Sequence, residues 1–319
     1  MSIPVFAARH VYAAVDPAAA VDAVRQAFVD HARGDWLMPS KVYVPVPPDG
    51  DFRAMPARGG GYSVLKWVTS FPRNPERGLP TVGGIVLLSD ATDGRLLAEL
   101  DAGALTALRT GAAAVLAAEV LAAGNGPAAV VGCGVNGRAV ARTFLARGRD
   151  VLLWDADEAR AALVAQELAA GVAGSRDEAL GADAVVTVTP GREILFGPGS
   201  LRPGQHVSLM GADGPGKAEI ALEELGRARV VVDEWEQASH NGDISRAVEA
   251  GSIGRSDIVE LGRILTGEQG GRAADDEITV FDSTGLAVQD LAVAALVYER
   301  YRAHPDDPAF ADVVEVDLS

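Results

Sequence analysis

The chain has 319 residues, 48% of them apolar, and at roughly 150 residues per domain it is long enough for two domains, each with its own core. Acidic residues number 44 against 28 basic ones, and the resulting net charge of −16 argues against a nucleic-acid partner, because neutralising phosphates needs a basic face. A single cysteine excludes an internal disulfide, and no apolar run is read as a membrane span or a leader, so a soluble cytoplasmic protein is expected.

In chain order, Asp16-Pro17 is a cap followed by proline, and the spacing of Val21, Val24 and Phe28 predicts a helix running to Arg33. Val42-Tyr43-Val44 reads as a short strand, Tyr62 to Thr69 and Ile85 to Leu88 as longer ones, and the Asp93-Gly94 turn makes a hairpin with Arg95 to Leu100. The alanine- and leucine-rich stretch from Leu105 to Ala123 predicts a long helix, stopped by Gly124-Asn125-Gly126-Pro127, where a domain boundary is expected.

Strand and helix then alternate. Strands are expected at Ala128–Cys133, Asp150–Trp154, Ala184–Val188, His206–Met210 and Arg229–Val232, and helices at Gly137–Arg147, Glu158–Ala170 and Leu286–Tyr301. Such alternation implies a parallel sheet covered on both faces. The first strand runs into Gly132-Cys133-Gly134-Val135-Asn136-Gly137, a G-x-G-x-x-G opening a helix, and Asp155 closes the next strand 21 residues after Gly134. That spacing is the dinucleotide fingerprint of a Rossmann domain: Gly132 for the turn, Gly134 for close approach of the pyrophosphate, Gly137 for strand–helix packing. Asp155 would accept from the adenosine ribose hydroxyls and repel a 2′-phosphate, which favours NAD over NADP; its plainer role is to cap the following helix. Cys133 reads as a packing residue.

Only three lysines are present, Lys41, Lys66 and Lys217, so arginine fills the general basic positions. Lys66 lies in the apolar strand Val64 to Val68, and the expectation from pattern alone is that it points to solvent. Arg109 has no acid within a helical turn, leaving it a ligand anion or a structural acid elsewhere. Asp213, in Gly211-Ala212-Asp213-Gly214-Pro215-Gly216-Lys217, either makes an ordinary turn or stands at the ligand end of a strand. The five histidines show no metal spacing, so no metal site is expected.

Together these segments carry a resemblance. Met38-Pro39-Ser40-Lys41, Arg53-Ala54-Met55-Pro56-Ala57, Ser63-Val64-Leu65-Lys66-Trp67, Gly78-Leu79-Pro80-Thr81, Leu108-Arg109-Thr110-Gly111, Gly211 to Lys217 and Asp282-Ser283-Thr284-Gly285-Leu286 to Asp290 stand in the same order as in the ornithine cyclodeaminase/mu-crystallin family. Within it the chain is most similar to the archaeal-type alanine dehydrogenases.

The resemblance implies an α/β protein. A β-rich α+β substrate and dimerisation domain would comprise residues 1–123, with 286–319 returning to it, and a Rossmann NAD-binding domain residues 124–285. It implies a homodimer, NAD as cofactor, and a small amino-acid or oxo-acid substrate. Lys41 and Lys66 would hold the substrate carboxylate, Arg53 and Arg109 would add positive charge, Arg109 also serving the cofactor, and Asp213 would be the acid/base beside the amine. Thr81, Val135, Asn136, Thr189 and Ser283 would line the cofactor.

Two positions depart from the family pattern. Asn136 stands where glutamine is common, and Arg53 stands where similar cyclodeaminases carry a glutamate for the distal amine of a diamino substrate. The second departure favours an alanine dehydrogenase, converting L-alanine to pyruvate and ammonia. Ornithine cyclodeaminase, a cyclic-imine reductase and a non-catalytic NAD(H)-binding protein remain the alternatives.

Overall fold

A computed structural model describes residues 2–212, 214 and 216–318. The chain forms two compact units, residues 1–109 with 286–319, and residues 110–285. The division falls between Arg109 and Thr110, inside the helix Ala102–Leu121, whereas the sequence placed a boundary after it, at residues 123/124.

The first unit is built on strands β1 (Ser2–Phe6), β2 (Val42–Val46), β3 (Gly50–Gly59), β4 (Tyr62–Ser70), β5 (Val82–Asp90) and β6 (Leu96–Asp101). With the C-terminal strand Val314–Asp317 they make a seven-stranded sheet, ordered C-terminal strand–β1–β6–β5–β4–β3–β2. All pairings are antiparallel except β1 with β6. The expected hairpin is β5–β6, with Gly94 at φ 77°, a conformation that glycine adopts without strain. The helix Pro17–Ala32 starts as its sequence implies, the Asp16 carboxylate accepting from Ala18 N. Helix Ala287–Ala303 packs on it and on β3, β4 and β5.

Strand β4 alternates in the reverse sense to the hydropathy of its residues. Val64, Lys66 and Val68 are buried, while Leu65 and Trp67 lie on the open face, each 39% exposed. Register places Val42, Ala54, Trp67 and Ile85 in one row across four strands, and Phe52 stacks on Trp67 at 5.6 Å. That face is apolar and exposed.

The second unit contains β7 (Ala128–Val131), β8 (Val151–Trp154), β9 (Gly171–Val172), β10 (Ala184–Thr187), β11 (His206–Leu209), β12 (Arg229–Val232), β13 (Val259–Glu260) and β14 (Thr279–Asp282). They pair as one parallel sheet, ordered β13–β12–β14–β11–β10–β7–β8–β9. The central strands β7, β10, β11 and β14 are buried at every position, as a sheet covered on both faces requires. The chain runs outward through β7, β8 and β9, then returns to the other side at β10, so the switch of direction lies between β7 and β10. This is the doubly wound dinucleotide-binding topology.

The helix Ala102–Leu121 corrects one reading: it is long and apolar enough by composition to cross a membrane. Of its apolar 18-residue window 83% is buried within the protein, and a helix apolar on all sides is a core helix when protein surrounds it.

Asp282, the last residue of β14, is fully buried, and burial pushes its carboxyl up to about 8; Ile244 N, which donates to Oδ2 at 3.0 Å, opposes the rise and the nearby Asp233 adds to it. A carboxyl held above its unfolded value stabilises the fold only while it keeps its proton, so its contribution is present at low pH and is lost as pH rises toward 8. Thermal melts from pH 5 to 9 should therefore show a falling midpoint in the wild type and a flatter profile in Asp282→Asn. At pH 9 the variant is expected to melt at least about 4 °C higher, and superimposable profiles would contradict the assignment.

Candidate active site

Two constellations are present, one in each unit. In the second, the loop after β7 follows the fingerprint residue by residue. Gly132 has φ 100°, and a Cβ at Gly137 would stand 1.7 Å from the Gly132 carbonyl oxygen, so strand and helix can approach only with glycine there. A Cβ at Gly134 would meet nothing within 4 Å: the loop is open on that side. The helix Val135–Ala146 has no side-chain N-cap, which leaves its first N–H groups available to an anion, and Val135 at its start is 68% exposed. Asn136 is half-buried in the same turn. These features fit a dinucleotide pyrophosphate.

Asp155 is buried at the end of β8, but it does not cap the helix that follows; Asp157 does, accepting from Arg160 N. Asp155 instead accepts from Cys133 N at 2.7 Å and Asp157 N at 2.8 Å, tying the glycine loop to the neighbouring strand end, with Arg160 Nη1 at 3.5 Å. Cys133 is buried beside it, and burial first, then the Asp155 charge, push its thiol up to about 11, which suits the packing role.

Thr189, just beyond β10, and Ser283, just beyond β14, also belong to this unit. Ser283 donates to Asp233 Oδ2 at 3.0 Å, and Gly285 N donates to the same oxygen at 2.7 Å. Thr189 Oγ1 accepts from Gly191 N and donates to Glu219 Oε1. The sequence reading did not single out Glu219, which is completely buried and engages Thr187, Thr189 and Gly211. Burial raises its carboxyl, and the hydrogen bonds from those three residues oppose the rise. Asp213 and Pro215 lie outside the described residues.

The first unit holds the cations. Lys66 is 1% exposed, which overturns its expected solvent orientation. The reason is that the open face of β4 is taken by Leu65 and Trp67, so alternation sends Lys66 inward, opposite Met55 and Val86. Its partner comes from the other end of the chain: Asp290 Oδ2, fully buried in the first turn of helix Ala287–Ala303, lies 2.6 Å from Lys66 Nζ. The positive end of the helix dipole favours the Asp290 carboxylate there. Arg109 Nε stands 3.4 Å from Asp290 Oδ1, and Arg109 Nη1 donates to Gln289 Oε1 at 3.4 Å.

Arg53 is buried on the same face of the sheet, two residues from Met55, and is held in a fork by Asp51, with Nε–Oδ1 2.6 Å and Nη2–Oδ2 3.1 Å. Its guanidinium also lies over the Tyr43 ring at 5.4 Å. Burial pushes the Lys66 ammonium down to about 8, Asp290 pulls it back up, and the Arg109 and Arg53 charges push it further down.

Arg53 thus pairs with Asp51, while Lys66 and Arg109 share Asp290. Among the described residues, Arg109 Nε and Gln289 Nε2 are buried donors without a hydrogen-bonded acceptor, and the Asp290 oxygens, ion-paired with Lys66 and Arg109, accept no hydrogen bond. Buried cations with unused donor capacity beside them suit a carboxylate ligand. Lys41, half-buried before β2, and Thr81, half-buried before β5 with its carbonyl accepting from Phe71 N, complete the residues of interest in this unit. Among the described residues, no three His, Cys, Asp or Glu side chains are grouped to hold a metal ion.

A doubly wound dinucleotide fold joined to a β-rich unit with a buried basic cluster defines the class of protein, and comparison with known proteins resolves the family. Residues 5–304 match the ornithine cyclodeaminase/mu-crystallin family, and the chain belongs to it. It is 42% identical over 298 residues to an alanine dehydrogenase of Archaeoglobus fulgidus, covering 88% of this chain and 89% of that one. It is 36% identical over 262 residues to a Δ1-pyrroline-2-carboxylate reductase of Bacillus cereus, covering 77% and 80%. Among solved structures it is similar to an archaeal alanine dehydrogenase dimer with bound NAD, with a TM-score of 0.92 at 36% identity over the whole of both chains.

If Lys66 is a carboxylate-binding cation, its titration governs anion binding. Below about pH 8 the ammonium is retained, and above it the charge is lost. Calorimetric titration with a small monocarboxylate such as pyruvate should give a dissociation constant that is flat below pH 8 and rises about tenfold per unit above it. Lys66→Met should bind weakly and without that pH dependence. A wild-type constant unchanged up to pH 10 would exclude Lys66 from the anion site.

Proposed function

We propose that the protein is an NAD-dependent amino-acid dehydrogenase that interconverts L-alanine with pyruvate and ammonia. The observation that carries this reading is the burial of three cations, Arg53, Lys66 and Arg109, in the first unit. A buried basic cluster suits a substrate with a carboxylate and an uncharged side chain. A diamino acid would bring a distal ammonium toward a site already rich in cations, which disfavours ornithine.

In this reading Lys66 and Arg109 hold and orient the substrate carboxylate, and Lys41 and Arg53 add to the basic field around it. Gly132, Gly134, Val135, Asn136 and Gly137 receive the dinucleotide pyrophosphate, Asp155 faces the adenosine ribose, and Thr81, Arg109, Thr189 and Ser283 line the rest of the cofactor. NAD, when bound, supplies the hydride acceptor for the substrate Cα. Hydride leaves only from the neutral amine, so a base must take the ammonium proton, and Asp213 is assigned that role. Asp155 opposes a 2′-phosphate and so favours NAD over NADP.

The relative that reduces a cyclic imino acid gives a second reading specific support, because a cyclic imino acid offers the same single carboxylate. NADH absorbance with alanine, proline and ornithine, each run with NAD and with NADP, separates these. Alanine with NAD is expected to give the fastest rise, and Asp213→Asn should lower kcat by about 10²–10⁴-fold while leaving the NAD dissociation constant within about twofold. Turnover of proline alone would replace the alanine assignment with the imine one. Silence with every substrate despite cofactor binding would favour a binding protein.

We also assign the protein as a cytoplasmic homodimer that pairs through the open face of the first sheet, where Val42, Val44, Leu65, Trp67 and Ile85 are exposed. Light scattering at micromolar concentration should give twice the chain mass for the wild type and the single-chain mass for Trp67→Glu. A wild-type monomer would refute the assignment.

A further inference from the structure

The carboxylate of Glu219 fastens together the loops after β10 and β11, which backbone hydrogen bonds such as Ala218 N to the Gly191 carbonyl also join. Oε2 accepts from Thr187 Oγ1 at 2.6 Å and from Gly211 N at 3.2 Å; Oε1 accepts from Thr189 Oγ1 and from Thr189 N at 3.3 Å. Thr189 Oγ1 already accepts from Gly191 N, so its own proton is directed at Glu219. Each oxygen thereby receives two donors, the arrangement that an ionised carboxylate satisfies and a carboxamide does not. The backbone of Glu219 is held equally firmly: its N–H donates to Asp243 Oδ1, and its carbonyl accepts from Leu195 N and Phe196 N. A Cβ at Gly211 would lie 2.7 Å from Glu219 Cδ, so the loop after β11 closes on the carboxylate only because residue 211 is glycine.

The position of this clamp in the sheet gives it meaning. The glycine loop after β7 and Asp155 after β8 lie on one side of the switch point, and β10 and β11 lie on the other. A dinucleotide bound across that point with its adenosine at β8 directs its nicotinamide half toward the ends of β10 and β11. Thr189 is one of the two loop residues gripped, and Gly211 precedes Asp213 by two residues in sequence.

We propose that Glu219 is a positioning residue for the nicotinamide half of the cofactor, acting through Thr187, Thr189 and Gly211 and not by contact with substrate. Its catalytic consequence rests on the dehydrogenase reading; its effect on cofactor binding does not. Glu219→Gln puts an amide N–H₂ against two donors, and removing an acceptor from buried donors leaves them unsatisfied.

The test compares NADH with ADP-ribose, which has the adenosine and pyrophosphate but no nicotinamide. By fluorescence titration for NADH and calorimetry for ADP-ribose, Glu219→Gln should weaken NADH roughly tenfold and leave ADP-ribose within about twofold. In the same protein kcat with alanine should fall about 10²-fold with little change in the alanine KM, the signature of a misplaced reacting group. Thr187→Val, which removes one donor with little change of shape, should show the same split more weakly and serves if Glu219→Gln does not fold.

Equal weakening of both ligands, or wild-type NADH affinity in a folded variant, would make Glu219 a structural residue only and overturn the proposal. If the wild type does not oxidise alanine but the NADH and ADP-ribose affinities still separate, the dehydrogenase reading fails and the positioning role stands.

Discussion

A lysine ammonium with no access to solvent, held 2.6 Å from an equally buried aspartate, is the constraint on which the first unit is organised. Burying either charge alone would be prohibitive, and removing one partner of such a pair typically destabilises by about 3–5 kcal/mol. Asp290 is placed by the first turn of helix Ala287–Ala303, so the last long helix must pack on β3 and β4 for Lys66 to be tolerated at all. The inward lysine also accounts for the outward apolar residues of β4: alternation turns Leu65 and Trp67 to the open face, and that face is left needing cover. A basic interior and an apolar exterior are thus two consequences of one strand's phase.

The second unit solves a different electrostatic problem. Its loops must present donors to an anionic cofactor, and the helix Val135–Ala146 starts without a side-chain cap, leaving its first backbone N–H groups open to an anion. Behind the strand ends it carries buried carboxylates instead, Glu219, Asp233, Asp243 and Asp282. Glu219 and Asp233 are anchored by hydroxyl and backbone donors from neighbouring loops. Burial drives the carboxyl of Asp243 well above its ordinary range and that of Asp282 up to about 8. The carboxylates on this side fasten loops, whereas the buried cations lie in the first unit.

What the sequence made legible follows the range of the interactions. Gly132, Gly134, Gly137 and Asp155 act within one strand–helix–strand segment, and their spacing alone identifies the loop. The alternating elements of the second unit were readable for the same reason, although β14, inserted between β11 and β12 from far along the chain, was not. The burial of Lys66 was misread because the residue that makes it possible, Asp290, is remote in sequence, and a lysine between apolar neighbours ordinarily faces water. Arg109 was open for the same reason, its structural acid again being Asp290. Glu219 gave no local signal at all. Its carboxylate is marked out by four donors converging from three residues, Thr187, Thr189 and Gly211, although its place two residues after Lys217 in a glycine-rich turn could have prompted a search.

The scarcity of lysine makes the central claim directly measurable. With only Lys41, Lys66 and Lys217 in the chain, lysine ¹³C-labelled at Cε gives three ε-methylene signals, and Lys66→Met assigns one of them by its loss. Titrated by NMR, the Lys66 signal should move with a midpoint near pH 8, well below the ordinary lysine value of about 10.4. Adding pyruvate should shift that midpoint upward, because a bound carboxylate favours the ammonium. Three lysines titrating together near their ordinary value, with none responding to pyruvate, would contradict a buried lysine poised to hold the substrate carboxylate.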